Sequence, residues 1–152
     1  MERPTVGMRA PAFSLPAQRG DMVSVPGSGW TLLYWYPKAD TPGCTMQAKS
    51  VRDQLDAFQR HGCTVYGASF DTIAENAAFA EKYHINFDLL SDPERTVGPS
   101  YGVAGEDGTA SHASRVAYLL DGEGTVVCRY EVSDPEFFAD QVLDDLEELA
   151  GA

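Results

Sequence analysis

The segment PKADTPGCTMQAK, residues 37–49, contains a candidate nucleophile, Cys44. Cys44 follows a Pro-Gly pair and lies three residues after Thr41, where a helical pattern begins. The thiolate is the reactive form of cysteine, and the unpaired amides at a helix N-terminus stabilise that anion. Thr41 is spaced to aim its hydroxyl back at the sulfur, where it could donate to the thiolate or accept from an incoming hydroperoxide. A buried structural thiol with a threonine helix cap fits the same residues, so the pattern alone leaves both interpretations open.

Length and composition predict one globular domain over residues 1–152, with a core that needs neither disulfides nor a structural metal. Three widely spaced cysteines cannot form a closed disulfide framework, so we expect free thiols in a reducing compartment. The N-terminal residues show no apolar signal core, and the longest apolar run, residues 30–36, is too short to span a bilayer. These features predict a cytoplasmic protein without a membrane segment.

The formal net charge of −12 argues against nucleic acid or an anionic membrane as a partner, because both require clustered basic residues. Lys38, Lys49 and Arg52 nevertheless surround Cys44. Chance clustering explains them equally well; if Cys44 is functional, they would suit an anionic low-molecular-weight thiol as its reductant.

Strand and helix patterns alternate along the chain without a linker or repeat. We predict strands at residues 12–15, 22–25, 31–36, 63–71, 86–90, 114–121 and 125–132, the last two joined by a hairpin at residues 121–124. We predict helices at residues 42–61 and 72–84, a helix start at Asp92-Pro93, and a final helix opened by Ser133-Asp134-Pro135. The sum is an α/β fold with a central mixed β-sheet covered by helices on both faces.

Apolar periodicity assigns an inward face to each main helix. The predicted inward residues are Cys44, Ala48, Val51, Leu55 and Phe58 in the first helix, Ala74, Ala77, Ala78 and Tyr83 in the second, and Phe138, Val142, Leu146 and Leu149 in the last. Cys44 therefore points toward the core from the first turn of its helix.

The segment YPKADTPGCTMQA resembles the active-site segment of the peroxiredoxins, in particular the bacterioferritin comigratory protein or peroxiredoxin Q branch. The segments APAFSL, VYGASFDT, NFDLLSDPE and SRVAYLLD are similar to family segments and occur in the family order, so the resemblance covers most of the chain. It implies a thioredoxin-like fold and a thiol-dependent peroxidase that needs no cofactor.

The resemblance also implies roles for individual residues. Cys44 would be the peroxidatic cysteine, Pro37 and Thr41 would shape the peroxide pocket, and Arg115 would be a catalytic arginine. Gln47 would support that arginine through a hydrogen bond. From the residues alone, an edge residue in solvent is the preferred interpretation of Arg115, and an exposed helix residue fits Gln47 equally well. Arg129 is a competing arginine, but the alternation along its strand can turn its side chain to the open face of the sheet.

The expected reaction is attack by the Cys44 thiolate on the O–O bond of hydrogen peroxide or an organic hydroperoxide, giving water or an alcohol and a sulfenic acid. Many members of this branch have a resolving cysteine five residues further on, where this chain has Lys49. Cys63 and Cys128 remain as fallback candidates, but each falls in a predicted strand, where a thiol is usually a core residue. We therefore expect no resolving cysteine and an external reductant: thioredoxin, glutaredoxin or a low-molecular-weight thiol.

Two alternatives share this sequence pattern. One is a peroxide sensor that passes oxidation from Cys44 to a partner protein; the other is a non-catalytic thioredoxin-fold binding module. The absence of a Cys-x-x-Cys motif disfavours a disulfide oxidoreductase. The three histidines are too scattered for a metal site, and the GVAGEDG loop lacks dinucleotide-binding spacing. For the assembled protein we expect a monomer or a homodimer.

Overall fold

The computed structural model describes residues 2–150. Met1, Gly151 and Ala152, which the predicted domain includes, lie outside the described residues. The strands are β1 (Phe13–Pro16), β2 (Met22–Val25), β3 (Trp30–Trp35), β4 (Cys63–Ser69), β5 (Asp88–Ser91), β6 (Val116–Leu120) and β7 (Val126–Glu131). The α-helices are α1 (Pro42–Asp53), α2 (Leu55–Arg60), α3 (Ile73–Tyr83) and α4 (Phe138–Ala150), and short 3-10 helices span Gly98–Tyr101 and Pro135–Phe137. Within residues 2–150, no helix combines the length and apolar character needed to cross a membrane.

Five strands form the central sheet in the order β5-β4-β3-β6-β7. The β3–β4 and β4–β5 pairs are parallel, whereas β3–β6 and β6–β7 are antiparallel. The strands β1 and β2 form a separate antiparallel hairpin. The prediction of a mixed sheet is confirmed, and the late hairpin β6–β7 is antiparallel as the turn sequence indicated.

Side chains of β3 alternate between two core layers, as expected for a strand buried on both faces. Leu32, Tyr34 and Tyr36 join the layer that the four α-helices cover. Leu33 and Trp35 join the opposite layer, covered by the β1–β2 hairpin, the first 3-10 helix and the loop that follows it. The second face therefore carries a 3-10 helix but no α-helix among the described residues.

The predicted helix at residues 42–61 is divided at Gln54, where the backbone leaves helical geometry with φ −120° and ψ 16°. The Gln54 side chain donates to Asp140 of α4 over 2.8 Å. No proline or glycine marks this break. The apolar periodicity of the segment also does not predict the contact with α4. The predicted inward stripe survives the break, because Cys44, Ala48, Val51 and Phe58 are all buried.

The predicted helix start at Asp92-Pro93 is wrong. Instead, the buried Asp92 carboxylate accepts hydrogen bonds from the backbone amides of Thr96, Val97 and Gly98, which holds a tight loop. The 3-10 helix begins only at Gly98. The preceding strand is also shifted, with β5 at Asp88–Ser91.

Two predicted helix faces need correction. The buried residues of α3 are Asn76, Phe79 and Ala80, not the alanine stripe that the sequence suggested. Asn76 is buried because its side-chain oxygen accepts from Tyr36 Oη and its amide donates to Ser91 Oγ. In α4, Leu149 is 41% exposed, so the inward stripe there ends at Leu146.

Candidate active site

The start of α1 carries Cys44 at its third position. Tyr36 follows β3 and donates its backbone amide to the Ala68 carbonyl over 2.9 Å, and Pro37 comes next. Thr41 is the N-terminal cap residue with extended geometry, and its carbonyl accepts the first helical bond, from Thr45, over 2.8 Å. Amides in a first helical turn have no carbonyl partner within the helix, and they favour an anion beside them. Cys44 lies within this first turn and is only 1% exposed.

The Arg115 side chain contacts Cys44, although the two residues lie 71 positions apart in the sequence. Its Nη2 lies 3.4 Å from Cys44 Sγ, and its Nη1 donates to Gln47 Oε1 over 2.7 Å. The Arg115 carbonyl accepts from Val132, which fixes the backbone just before β6. Gln47 is fully buried and Arg115 is partly buried, so neither is the solvent-facing residue of the alternative interpretation. Arg129 instead donates to the Pro4 carbonyl over 3.3 Å, away from the cysteine.

The Thr41 hydroxyl does not donate to the cysteine in this structure. It donates to the Lys38 carbonyl over 2.7 Å, which corrects the expected donation to the thiolate and leaves the alternative, acceptance from a hydroperoxide. It also makes no side-chain cap bond to the helix. Because a hydroxyl has one hydrogen and two lone pairs, the Thr41 oxygen remains able to accept a hydrogen bond from a hydroperoxide.

Gly43 permits the approach of Arg115 to the sulfur, a role that sequence reasoning missed although the Pro-Gly pair drew attention to it. A methyl group at this position would lie 2.9 Å from Arg115 Nη2. That separation is shorter than normal van der Waals contact, so the guanidinium would have to move.

We expect Gly43→Ala to slow the reaction of Cys44 with hydrogen peroxide about tenfold, because small shifts of a positioned donor cost large factors in rate. Fold stability should be unchanged or higher, since alanine favours helix over glycine. Stopped-flow fluorescence on the reduced protein measures the rate constant. Gly27→Ala is the matched control, because nothing lies within 4 Å of a methyl group there. An unaltered rate constant in Gly43→Ala would show that the Arg115 contact does not matter.

The aromatic run Tyr34-Trp35-Tyr36 divides between the two core layers. Tyr34 and Tyr36 share the core cluster of Cys44, whereas Trp35 lies in the opposite cluster. Burial is the main cause that raises the pKa of Tyr34, and the neighbouring Cys44 raises it further, so the phenol stays neutral. Tyr34 and Tyr36 therefore lie on the same face of the sheet as Cys44, and Trp35 is a core residue of the opposite face.

The basic residues near Cys44 are engaged with carboxylates, carbonyls or rings. Lys38 Nζ lies 2.7 Å from both Asp71 Oδ1 and Glu75 Oε2, and these bonds, with Asp71 contributing most, raise the pKa of Lys38. Arg52 donates to the Tyr83 carbonyl over 2.6 Å. Lys49 lies over the Tyr83 ring. These contacts weaken the suggestion that the cluster attracts an anionic thiol.

The other two cysteines are in the sheet. Cys63 begins β4 and pairs with Trp30 at the end of the sheet opposite to Pro37. Since a strand rises about 3.3 Å per residue, the length of β3 separates Cys63 from the cysteine end by roughly 20 Å. Burial raises the pKa of Cys63 to about 12. Cys128 lies in edge strand β7, and burial raises its pKa as well.

Comparison with known proteins agrees with this geometry. Residues 6–129 match the AhpC/TSA family. The chain is 38% identical to peroxiredoxin Bcp of Escherichia coli (strain K12) over 147 residues, which cover 93% of this chain and 94% of that protein. The chain belongs to the AhpC/TSA family. It is also 39% identical to chloroplastic peroxiredoxin Q of Arabidopsis thaliana over 140 residues, covering 90% of this chain and 64% of that protein.

Solved structures of AhpC/TSA relatives share the fold. Peroxidoxin BcpB of Mycobacterium tuberculosis superposes with a TM-score of 0.90 at 29% identity, over 97% of this chain and 99% of that one. The bacterioferritin comigratory protein of Xanthomonas campestris gives 0.83 at 27% identity, over 91% of this chain and 92% of that one. The predicted thioredoxin-like fold and peroxiredoxin resemblance are confirmed. The chain is a thiol-dependent peroxidase, and a non-catalytic binding module is not favoured.

Proposed function

We propose that Cys44 is the peroxidatic cysteine and that Arg115 stabilises the charges of the reaction. The observation that carries the proposal is the Arg115 guanidinium 3.4 Å from Cys44 Sγ, at the N-terminus of α1. The thiolate attacks one oxygen of the hydroperoxide, so an S–O bond forms while the O–O bond breaks. The electron pair of that bond leaves with the departing oxygen, which takes up a proton. Cys44 becomes a sulfenic acid, and water or an alcohol is released.

The neighbouring groups orient the peroxide in this scheme. The Thr41 oxygen accepts the hydroperoxide hydrogen, while the Cys44 amide and Arg115 donate to the oxygen atoms as negative charge develops on them. Gln47 holds the guanidinium through the 2.7 Å bond to Nη1. Pro37 lies two residues beyond the end of β3 at Trp35 and has no backbone N–H to donate, which shapes the loop that carries Thr41.

We also propose a one-cysteine cycle. An external thiol attacks the Cys44 sulfenate and releases water, and a second thiol reduces the mixed disulfide to regenerate the Cys44 thiol. Cys63 is poorly suited to resolution, because its raised pKa keeps it protonated and it lies at the far end of the sheet. Since the Cys44 side chain is 1% exposed, the first turn of α1 must open locally before a reductant can reach it.

The finer identity of the partners belongs to the same proposal. The Xanthomonas campestris relative has alkyl peroxide reduction activity, which supports organic hydroperoxides beside hydrogen peroxide as substrates. The reductant is thioredoxin, glutaredoxin or a low-molecular-weight thiol. We further propose a single domain over residues 1–152, a monomer or homodimer, and a cytoplasmic location, where thiol reductants are available.

One experiment tests the assignment of the peroxidatic residue. The reduced protein is mixed with one equivalent of hydrogen peroxide in the presence of dimedone, and the adduct is located by peptide mass spectrometry. We expect the adduct on Cys44, with Cys63 and Cys128 unmodified in the same sample because burial keeps their thiols protonated. An adduct on another cysteine, or none at all, would disprove the assignment. Continued peroxide consumption with excess dithiothreitol distinguishes an enzyme from a sensor oxidised once.

A further inference from the structure

The carboxylate of Asp71 holds the loop that leads from β3 to α1. Asp71 lies two residues beyond the end of β4, is 3% exposed, and has its amide bonded to Ser69 Oγ. Its Oδ2 accepts the Ala39 amide over 2.8 Å, and its Oδ1 lies 2.7 Å from Lys38 Nζ. One buried carboxylate therefore fixes two consecutive loop residues, through the main chain of one and the side chain of the other. Such charge-assisted bonds are shorter and stronger than neutral ones.

A short series of bonds connects Asp71 with Thr41. The Lys38 carbonyl, in the segment that Asp71 holds, accepts the Thr41 hydroxyl hydrogen over 2.7 Å. That bond determines where the hydroxyl hydrogen points, and consequently where the oxygen lone pairs point. If the Lys38–Ala39 peptide moved, the Thr41 hydroxyl would lose its acceptor and could rotate its hydrogen toward the peroxide.

We propose that Asp71 is a positioning residue for peroxide reduction, which acts through the Lys38–Ala39 peptide to keep the Thr41 oxygen ready to accept from the hydroperoxide. This inference rests on the proposed roles of Cys44 and Thr41. Asp71 does not touch the reacting atoms, and its contribution is the orientation of a hydroxyl three residues before the nucleophile. Misplacement of a reacting group by about 1 Å is enough to cost up to 10²-fold in rate.

Glu75 provides a matched control, because it pairs with the same lysine without holding the loop. Its Oε2 lies 2.7 Å from Lys38 Nζ, but the Glu75 side chain is exposed. The Ala39 amide donates to Asp71 and not to Glu75. Its Oε1 accepts the Thr72 amide in the capping box of α3, and glutamine maintains that kind of cap. Glu75→Gln therefore removes the negative charge beside Lys38, while the bond from the Ala39 amide to Asp71 still anchors the loop.

The test compares the rate constant of reduced protein with hydrogen peroxide in wild type, Asp71→Ala, Asp71→Asn and Glu75→Gln. We expect Asp71→Ala to be about tenfold slower. Asp71→Asn should be about threefold slower, because the asparagine oxygen still accepts from Ala39 but forms no ion pair with Lys38. Glu75→Gln should stay within twofold of wild type. Alkylation of Cys44 by iodoacetamide, which does not need an acceptor at Thr41, should stay within twofold in all variants.

A double-mutant cycle with Thr41→Val separates positioning from general structural support. If Asp71 acts through Thr41, adding Asp71→Asn to Thr41→Val causes no further loss of rate. Full additivity, unchanged peroxide rates in both Asp71 variants, or equal losses in the peroxide and iodoacetamide reactions would each overturn the inference. Loss of the native near-UV circular dichroism in both variants would also overturn it, since Asp71 would then be needed for folding. A wild-type Cys44 unreactive toward peroxide would instead disprove the underlying function.

Discussion

Cys44→Ser should abolish peroxide consumption in the presence of a generic dithiol, down to the background of the buffer. A serine hydroxyl is a far weaker nucleophile than a thiolate and cannot form a sulfenic acid, so the first step has no substitute. The Cys44 side chain is buried, and serine is smaller by little, so the fold should persist. Peroxide loss is followed with excess dithiothreitol, and circular dichroism confirms that the variant is folded.

The matched controls are the remaining cysteines, Cys63→Ser and Cys128→Ser. In a one-cysteine cycle both keep turnover within about twofold of wild type, apart from any loss of stability from placing a hydroxyl at the buried Cys63. Loss of turnover in one of them, with the Cys44 sulfenate still forming, would identify a resolving cysteine. Full activity of Cys44→Ser would refute the central assignment.

Arg115→Ala should lower the rate constant of Cys44 with hydrogen peroxide by about 10²–10³-fold, the range found when one oxyanion donor is removed from an active site. Arg115 is the donor that reaches Cys44 Sγ, at 3.4 Å, and its positive charge favours the thiolate. Its loss also leaves the buried Gln47 oxygen without the 2.7 Å bond. Stopped-flow fluorescence with the reduced variant measures the effect.

Two further variants make this prediction specific. Arg115→Lys should be intermediate, because an ammonium cannot bond to Gln47 and the sulfur with the fixed geometry of a guanidinium fork. Arg129→Ala is the control, since that arginine bonds to the Pro4 carbonyl and lies near Glu131. A loss of rate in Arg129→Ala as large as in Arg115→Ala would mean that general loss of positive charge, and not contact with Cys44, explains the effect.

Local patterns were sufficient to predict most of the fold. Strand β3 reads as apolar on both faces and is buried on both faces. The first helix begins at Pro42, where the Pro-Gly pair and the change of periodicity indicated, so the position of Cys44 in its first turn could also be predicted. The Asp-Gly-Glu-Gly turn correctly predicted the antiparallel hairpin β6–β7. Each of these features depends on residues close together in the sequence.

Predictions failed where a distant group decides the local structure. No proline or glycine near Gln54 indicates the helix break, and the Asp140 partner of its side chain lies 86 positions away. Asn76 looks like a surface residue until its buried partners Tyr36 and Ser91 are known. Asp92-Pro93 resembles a helix start, yet the Asp92 carboxylate accepts a backbone amide of the following loop instead.

The sequence by itself determined that Cys44 begins a helix with Thr41 before it, and that Lys49 occupies the position where the resemblance often has a resolving cysteine. Only the tertiary structure decided which groups surround the sulfur. Arg115 lies 71 positions from Cys44 and 68 from Gln47, and Asp71 lies 32 positions from Ala39. Periodicity reports which face of an element is buried, whereas contacts over such separations depend on strand order and register and on the packing of loops at one end of the sheet. The position of Cys44 at a helix start is therefore encoded locally, whereas the groups around its sulfur depend on the fold.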